Sequence, residues 1–379
     1  MLYLDYAASA PIRSGALKIL ESSMRESFAN PSSAHKLGKD IQRQVEACRQ
    51  QMLSSLDAPA GGRLIFTSSA TESNNTAIAG LGLSEGDTIT LSFADHPSVT
   101  EPVKHLWKKG INVQELPLLK NGIPDQAALL KGLNNEIKLV ILTQVNNQSG
   151  AITDIASLSR EIKKINPAIH IHVDAAQGFG KIPLSLKETD IDTLAISSHK
   201  IGGPKGIAAL YLRPEVNISP LLFGGGQEDG LRSSTLAAPL VFSFCQAAKE
   251  AMEHIQPALA RMSELNHSLQ ANLKKELKKI TLPFAEHSSP YILTFLLPGI
   301  SSDIILRHLE QKDIIISSTA ACSSKIKGTQ PVFTALHLPP DVHKFVLRAS
   351  FSDETTVADI DLFCRTLAEI YHELERFMR

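Results

Sequence analysis

Between Arg63 and about Arg213 short apolar runs alternate with helical stretches or longer connections, and this alternation constrains the fold more than any other feature of the chain. The runs fall at 64–67, 88–91, 113–116, 139–145, 169–173, 193–197 and 208–212. Their length and the turn formers around them read as strands. Near-continuous apolar strands joined by helices, such as 155–165 after the fourth, predict a mostly parallel sheet covered on both faces. Before this region Leu37, Ile41, Val45, Cys48, Met52 and Leu56 recur at steps of three and four, one face of a helix. After it, helices take over from Ala237 to about Lys279, and 266–279 is expected to be amphipathic and solvent-facing. A smaller α/β lobe follows, with strands at 292–297, 314–317 and 346–350. The closing helix carries Ile360, Phe363, Leu367, Ile370 and Leu374 on its apolar face. The division expected is a large domain over 13–255 and a small domain built from 1–12 and 256–379.

With 379 residues, 43% of them hydrophobic, the chain can bury a large core and divide into two lobes. A formal net charge of −1 gives no electrostatic reason to expect nucleic acid or membrane as the main partner. The four cysteines, Cys48, Cys245, Cys322 and Cys364, form no CxxC pair, so neither a zinc site nor a disulfide framework is indicated. Cys48 lies on the helical stripe, Cys245 in an apolar helix and Cys364 beside the closing helix's apolar face, so these three read as core fillers. Met1 to Tyr6 shows no signal-peptide pattern, and no apolar run is long enough to span a bilayer. The expectation is a reduced, cytoplasmic protein.

Chemistry concentrates at three strand ends. At the first, Thr193–Ser197 runs into Ser198-His199-Lys200 and a Gly202-Gly203-Pro204 turn, which places an amine at the carboxyl edge of a sheet, where open α/β sheets bind ligands. Taken alone, Lys200 is also readable as a solvated loop lysine. At the second, Phe66-Thr67-Ser68-Ser69 leads into Ala70-Thr71-Glu72, where the N–H groups of Ala70 and Thr71 would face an anion at a helix N-terminus. Ser69 with Glu72 also fits an ordinary capping box. At the third, His170-Ile171-His172-Val173 ends on Asp174, with Gln177 three residues on; a helix N-cap is the alternative role for Asp174. Together they supply what pyridoxal 5′-phosphate (PLP) requires. Lys200 forms the Schiff base, Asp174 keeps the pyridine nitrogen protonated, Gln177 meets the phenolic oxygen and a helix end takes the phosphate. His96, after Ser92-Phe93-Ala94-Asp95, is placed to stack on the ring and carry protons near neutral pH.

In order and spacing these segments resemble the cysteine desulfurases, PLP enzymes of the aspartate-aminotransferase fold (fold type I). The resemblance covers nearly the whole chain. It runs through Tyr3-Leu4-Asp5-Tyr6-Ala7-Ala8, Asn30-Pro31-Ser32-Ser33, 67–75, Val145-Asn146-Asn147 and 172–177. It continues through 197–206, Gly224-Gly225-Gly226, Arg232-Ser233-Ser234-Thr235 and 317–322 to Arg348. It implies that Lys200 is the Schiff-base lysine, Asp174 the pyridinium partner and His96 the stacking residue. Ala70, Thr71, Ser197 and His199 would hold the phosphate. Gln177 and Asn147 would contact the PLP hydroxyl, with Asn147 also near the substrate carboxylate, which Arg348 would pair with. Thr235 would reach the phosphate of the neighbouring subunit, so a homodimer is implied. Cys322 would attack the sulfur of L-cysteine, leaving alanine and an enzyme persulfide. That sulfur would pass to an acceptor such as an iron–sulfur scaffold or a tRNA-thiolation enzyme.

The chain departs from the family pattern at several points. Ser317-Ser318-Thr319-Ala320-Ala321-Cys322 stands where relatives carry Ser-Ser-Gly-Ser-Ala-Cys, and losing a glycine stiffens the backbone before the thiol. Gln148-Ser149-Gly150 replaces Glu-Ile-Gly, and Gln227 replaces a frequent histidine. The chain stops at Arg379, where housekeeping members carry a longer tail that docks a scaffold. Two readings compete with a desulfurase: a lyase of the same fold acting on selenocysteine, and a non-catalytic binding protein that keeps the fold.

Overall fold

The computed structural model describes residues 1–318 and 331–377. It opens with β1 (Leu2–Tyr3), α1 (Ser14–Glu26) and α2 (Lys36–Ser55). Strand and helix then alternate as β2 (Arg63–Thr67), α3 (Ala70–Ala79), β3 (Thr88–Leu91), α4 (Pro97–Trp107), β4 (Asn112–Glu115), α5 (Gln126–Gly132), β5 (Ile137–Thr143), α6 (Ile155–Ile165), β6 (His170–Asp174), β7 (Thr193–Ser197) and β8 (Ala208–Leu212). Two long helices follow, α7 (Ala238–Glu253) and α8 (Ile255–Glu276). The chain ends with β9 (Ile292–Leu296), α9 (Ser302–Glu310), β10 (Ile314–Ile315), α10 (Pro331–Ala335), β11 (Val346–Ser350) and α11 (Val357–Phe377).

Strands β2 to β8 form one seven-stranded sheet in the order β2-β8-β7-β6-β5-β3-β4. Six run the same way, and only β8 opposes its neighbours, β2 and β7. The mostly parallel sheet expected from the apolar runs is present, and the exception has a local cause. A parallel return needs a crossover of roughly a dozen residues or more. The chain from Ser198 to Ile207 is a turn and contains no helix. Consequently Thr67, Leu91, Thr143, Asp174 and Ser197 all end their strands at one edge, and Thr67 and Ser197 both pair with Ala208 of β8 there.

Alternate residues of each central strand enter opposite cores, because side chains alternate across a strand. Val140 and Leu142 of β5 pack with α2, α6 and α7 on one face. Leu139 and Ile141 pack with Ile78 of α3 and Val99 and Val103 of α4 on the other. A second core joins Leu4 near the N-terminus to Met262, Leu265, Leu269 and Leu273 of α8, to β9 and β11, and to Ile360, Phe363, Leu367 and Ile370 of α11. There β9 pairs antiparallel with β11, and β1 runs parallel to β10. The first strand of the chain thus closes a sheet with residues some three hundred positions away.

Three details differ from the sequence reading. Leu37 is 57% exposed, so the buried stripe of α2 begins at Ile41. β5 ends at Thr143, because Val145 leaves the sheet for an isolated bridge with Ile152. β10 ends at Ile315, and Ser317 instead exchanges two backbone hydrogen bonds with Arg348. Cys245 and Cys364 are buried, and Cys48 packs half-buried against the main core. Cys48 and Cys245, 197 positions apart, meet between α2 and α7, where hydrogen bonding to Cys245 together with burial pushes the Cys48 thiol far up. Among the described residues no helix is long and apolar enough to cross a membrane.

Candidate active site

Lys200 stands on a turn that only glycine can build. Gly202 has φ +79°, and a Cβ there would fall 2.7 Å from Arg13 Cγ and 3.1 Å from the Pro11 carbonyl. Gly203 lies so close to Ser198 that a Cβ would come within 2.1 Å of its Oγ. The amides of Ile201 and Gly203 both donate to the Ser198 carbonyl, which locks the turn behind the lysine. Lys200 Nζ donates to the carbonyls of Ala7 at 2.6 Å and Ala8 at 2.8 Å. Gln177 Nε2 donates to the same Ala7 oxygen at 2.8 Å. One oxygen therefore gathers the amine and the amide. The strap carrying it is pinned by Ala7 N to Ser350 Oγ at 2.9 Å and by Ala10 N to the His199 carbonyl at 3.0 Å.

Asp174 closes β6 and is 6% exposed. Both its oxygens are met by neutral donors, Oδ1 by the Ala176 amide and Oδ2 by Asn74 Nδ2, each at 2.9 Å. Its alternative role as a helix N-cap does not hold, since the residues after it form turns. Among the described residues no basic side chain forms a salt bridge with this buried carboxylate. The Oε1 of Gln177 is likewise buried without a partner. His96 caps α4 through Nδ1, which accepts from the Ser98 amide at 3.1 Å and lies 2.9 Å from Ser98 Oγ. Its proton therefore sits on Nε2. His96 is within electrostatic reach of both Asp174 and Lys200. Lost hydration lowers its pKa, which Asp174 opposes and Lys200 reinforces. Burial pushes the neighbouring Asp95 up to about 7, against hydrogen bonds from Thr143 and Ser92.

Ala70 and Thr71 are the first two residues of α3, whose opening N–H groups have no carbonyl one turn back. Half of the expected capping box forms: Ser69 Oγ accepts from Glu72 N at 3.2 Å. The Glu72 carboxylate turns instead to Ser68 and to Arg232, the latter at 2.8 Å. Burial alone would raise Glu72, but Arg232 and Ser68 outweigh it and hold its carboxyl below the usual range. This pair ties the helix start to the loop carrying Thr235, which is exposed. Gln227 steadies the same loop by accepting from Ser234 N at 3.1 Å. Ser197 is buried at the strand end. His199 lies 3.2 Å from Ser9 Oγ, and burial, then Lys200 and Lys205, push it down to about 4.

At the far side Arg348 of β11 is 5% exposed. Its Nη1 donates to the Asn147 carbonyl at 2.8 Å and its Nη2 to Asp5 Oδ1 at 3.0 Å, while its Nε is buried without a partner. Asn146 shapes the turn before Asn147, accepting from the amides of Gln148 and Ser149. Ser317 and Arg348 exchange backbone hydrogen bonds in both directions, so the last described residues before the expected nucleophile run beside the Arg348 main chain. Cys322 and Thr319 themselves lie outside the described residues.

Sequence reasoning did not single out Asn74, His172, Asp5 or Asn146 as individual contributors. Two carried a usable signal. Asn74 is three positions after Thr71 and so shares its helix face, and His172 is two before Asp174 and so shares its strand face.

A family model described as aminotransferase class-V matches residues 2–363. The chain is 31% identical over 377 residues to "Cysteine desulfurase IscS" of Dictyoglomus turgidum, covering 98% of this chain and 95% of that protein. A solved structure titled "NIFS-LIKE PROTEIN" superposes with a TM-score of 0.90 at 29% identity, covering 97% of this chain and 98% of that one. Another, "SspA in complex with cysteine", gives a TM-score of 0.79 at 28% identity over 94% of this chain and 100% of that one. A seven-stranded sheet with its polar residues gathered at one edge and matches that span almost the full length lead to the same assignment: the chain belongs to the class-V aminotransferase family, among the cysteine desulfurases.

Proposed function

We propose that the protein is a PLP-dependent cysteine desulfurase, converting L-cysteine to alanine and leaving the sulfur as a persulfide on Cys322. The observation that carries this reading is the buried Asp174 carboxylate, which forms no salt bridge among the described residues, beside an unpartnered Gln177 Oε1 and an amine on a glycine-built turn. These fit a flat ring with a protonated nitrogen and a phenolic oxygen. Asp174, Gln177, Lys200, His96 and Asn147 would hold the ring, and Ala70, Thr71, Ser197 and His199 the phosphate. Once bound, PLP supplies an aldehyde for amine capture and an electron-withdrawing ring.

The rest falls to the chain itself. Arg348, pre-aimed by Asp5 and Asn147, takes the substrate carboxylate through its remaining N–H groups. With Nδ1 taken by the Ser98 amide, a neutral His96 presents its Nε2 proton to the site as a hydrogen-bond donor. Attack by the Cys322 thiolate on the substrate sulfur forms the S–S bond and breaks the C–S bond. The carbon takes a proton and becomes the methyl group of alanine. The relative whose solved structure is titled as a complex with cysteine supports the substrate.

The finer parts of the reading follow from the same family. We take 13–255 as the PLP-binding domain, with 1–12 and 256–379 as the small domain, and place the protein in the cytoplasm. A homodimer is supported by the exposed Thr235 loop and by Phe223, 85% exposed just before the glycine triplet. The persulfide would pass to a sulfur-acceptor protein. The purified protein should be yellow, and Cys322→Ala should stay yellow yet form neither persulfide nor alanine. Persulfide that survived this change would remove Cys322 as the nucleophile. A chain that cannot be loaded with PLP would remove the reading altogether.

A further inference from the structure

Asn74 lies at the centre of a buried hydrogen-bond chain that the reaction above leaves unused. Its Nδ2 donates to Asp174 Oδ2 at 2.9 Å and to Ser98 Oγ at 2.8 Å, and its Oδ1 is 3.0 Å from His172 Nε2. Asn74 and His172 are both 0% exposed. The chemistry of the partners fixes the direction of every bond. A carboxylate only accepts, so the Asn74 amide must turn its NH₂ toward Asp174, and the reverse orientation would set oxygen against oxygen. Oδ1 then faces His172, which must donate from Nε2. A neutral His172 protonated there leaves Nδ1 to accept from Thr193 Oγ1 at 2.9 Å. The single hydroxyl proton of Thr193 being used, His170 Nε2 donates to Thr193 Oγ1 at 3.0 Å. Burial suppresses protonation of both histidines and so favours the neutral forms this ordering needs. On the other side, Ser98 Oγ accepts from Asn74 and lies next to His96 Nδ1.

Resting on the cofactor reading above, we infer that Asn74, locked by His172, is a positioning residue that aims the Asp174 carboxylate at the ring nitrogen of the cofactor. Oδ1 of Asp174 is tied to the Ala176 amide, so Oδ2 and its bond to Asn74 set the tilt of the carboxylate plane. A charge-assisted bond of this kind localises the oxygen.

The test is binding, without turnover, of PLP and of its deaza analogue, which carries carbon in place of the ring nitrogen. The wild-type apoprotein should bind PLP at least about tenfold more tightly than the analogue. Asn74→Leu should lose about tenfold for PLP and less than about twofold for the analogue. His172→Gln, whose amide stands near the place of Nε2, should keep the discrimination, and His172→Phe should lose it. A merely structural role would weaken both ligands alike, and equal losses in Asn74→Leu would overturn the inference. If Asn74→Leu does not fold, the His172 pair decides, and His172→Phe discriminating as well as His172→Gln overturns it. A wild type that binds the two ligands equally overturns the cofactor reading and this inference with it. A wild type that discriminates while Asn74→Leu discriminates equally removes the inference alone.

Discussion

His172 and His170 carry a consequence for stability that is independent of catalysis. Burial pushes His172 down to about 3; with His170 it is again chiefly burial, to about 4. An unfolded histidine takes its proton near pH 6.5. Below about 6.5 the unfolded chain therefore binds protons that the native protein refuses until about pH 4. Stability tied to these two residues is complete above about pH 6.5 and lost as pH falls below it. Asp95 acts the other way. The native protein keeps its proton up to about pH 7 while an unfolded aspartate loses it near 4, so its contribution falls as pH rises between those values. His172 and His170, joined by His199, which is also pushed down to about 4, outweigh the one aspartate, and the apoprotein should lose stability from pH 6.5 to 5. Urea midpoints would show this, and His172→Gln should flatten the slope by about 1.4 kcal/mol per pH unit. An unchanged slope would mean that His172 is protonated in the native state.

At the level of elements, the turn after β7 determines where the reactive amine sits. A side chain at Gly202 would need positive φ, which disfavours any L-residue by roughly 1–2 kcal/mol, and would also press on the Pro11 carbonyl. That carbonyl belongs to the strap whose Ala7 and Ala8 oxygens receive Lys200. Gly202→Ala should therefore cost about 2 kcal/mol by thermal melting and also speed the release of bound PLP. Loss of stability with unaltered release would separate the turn from the site. This turn also shows what the sequence could convey. The seven strands were legible because apolar runs and turn formers are local signals, and so were Lys200, Asp174 and the start of α3, which end those strands. The antiparallel β8 was implied only by the short connection before it. Asn74 was not legible as a partner of Asp174, because the two lie 100 positions apart and a polar helix residue has no local mark of what it meets. Asp5 and Arg348 are 343 positions apart. Such pairs become visible only once the first strand closes against the last third of the chain.

At the scale of the whole molecule, the proposed homodimer would complete each phosphate site with a residue of the other copy. Ala70, Thr71, Ser197 and His199 belong to one sheet edge, whereas Thr235 is exposed on a loop held by Glu72–Arg232 and Gln227. Leu222 and Phe223, 44% and 85% exposed, precede the glycines that begin this loop and put apolar surface next to it. If two copies pack there in the twofold manner usual for homo-oligomers, each Thr235 enters the other's phosphate site and each active site is shared. A mixing experiment separates a shared site from a self-sufficient one. Lys200→Ala should be inactive alone, and Thr235→Ala should be weakened through poor PLP retention. In a mixed dimer the Thr235→Ala chain keeps its lysine and receives an intact Thr235 from its Lys200→Ala partner. That rebuilds one full site per mixed dimer. Random pairing of equal amounts, after unfolding and refolding together, should then restore about a quarter of wild-type desulfurase activity per chain. Activity no greater than the average of the two parents would show that Thr235 serves its own subunit, because no pairing could then rescue either chain.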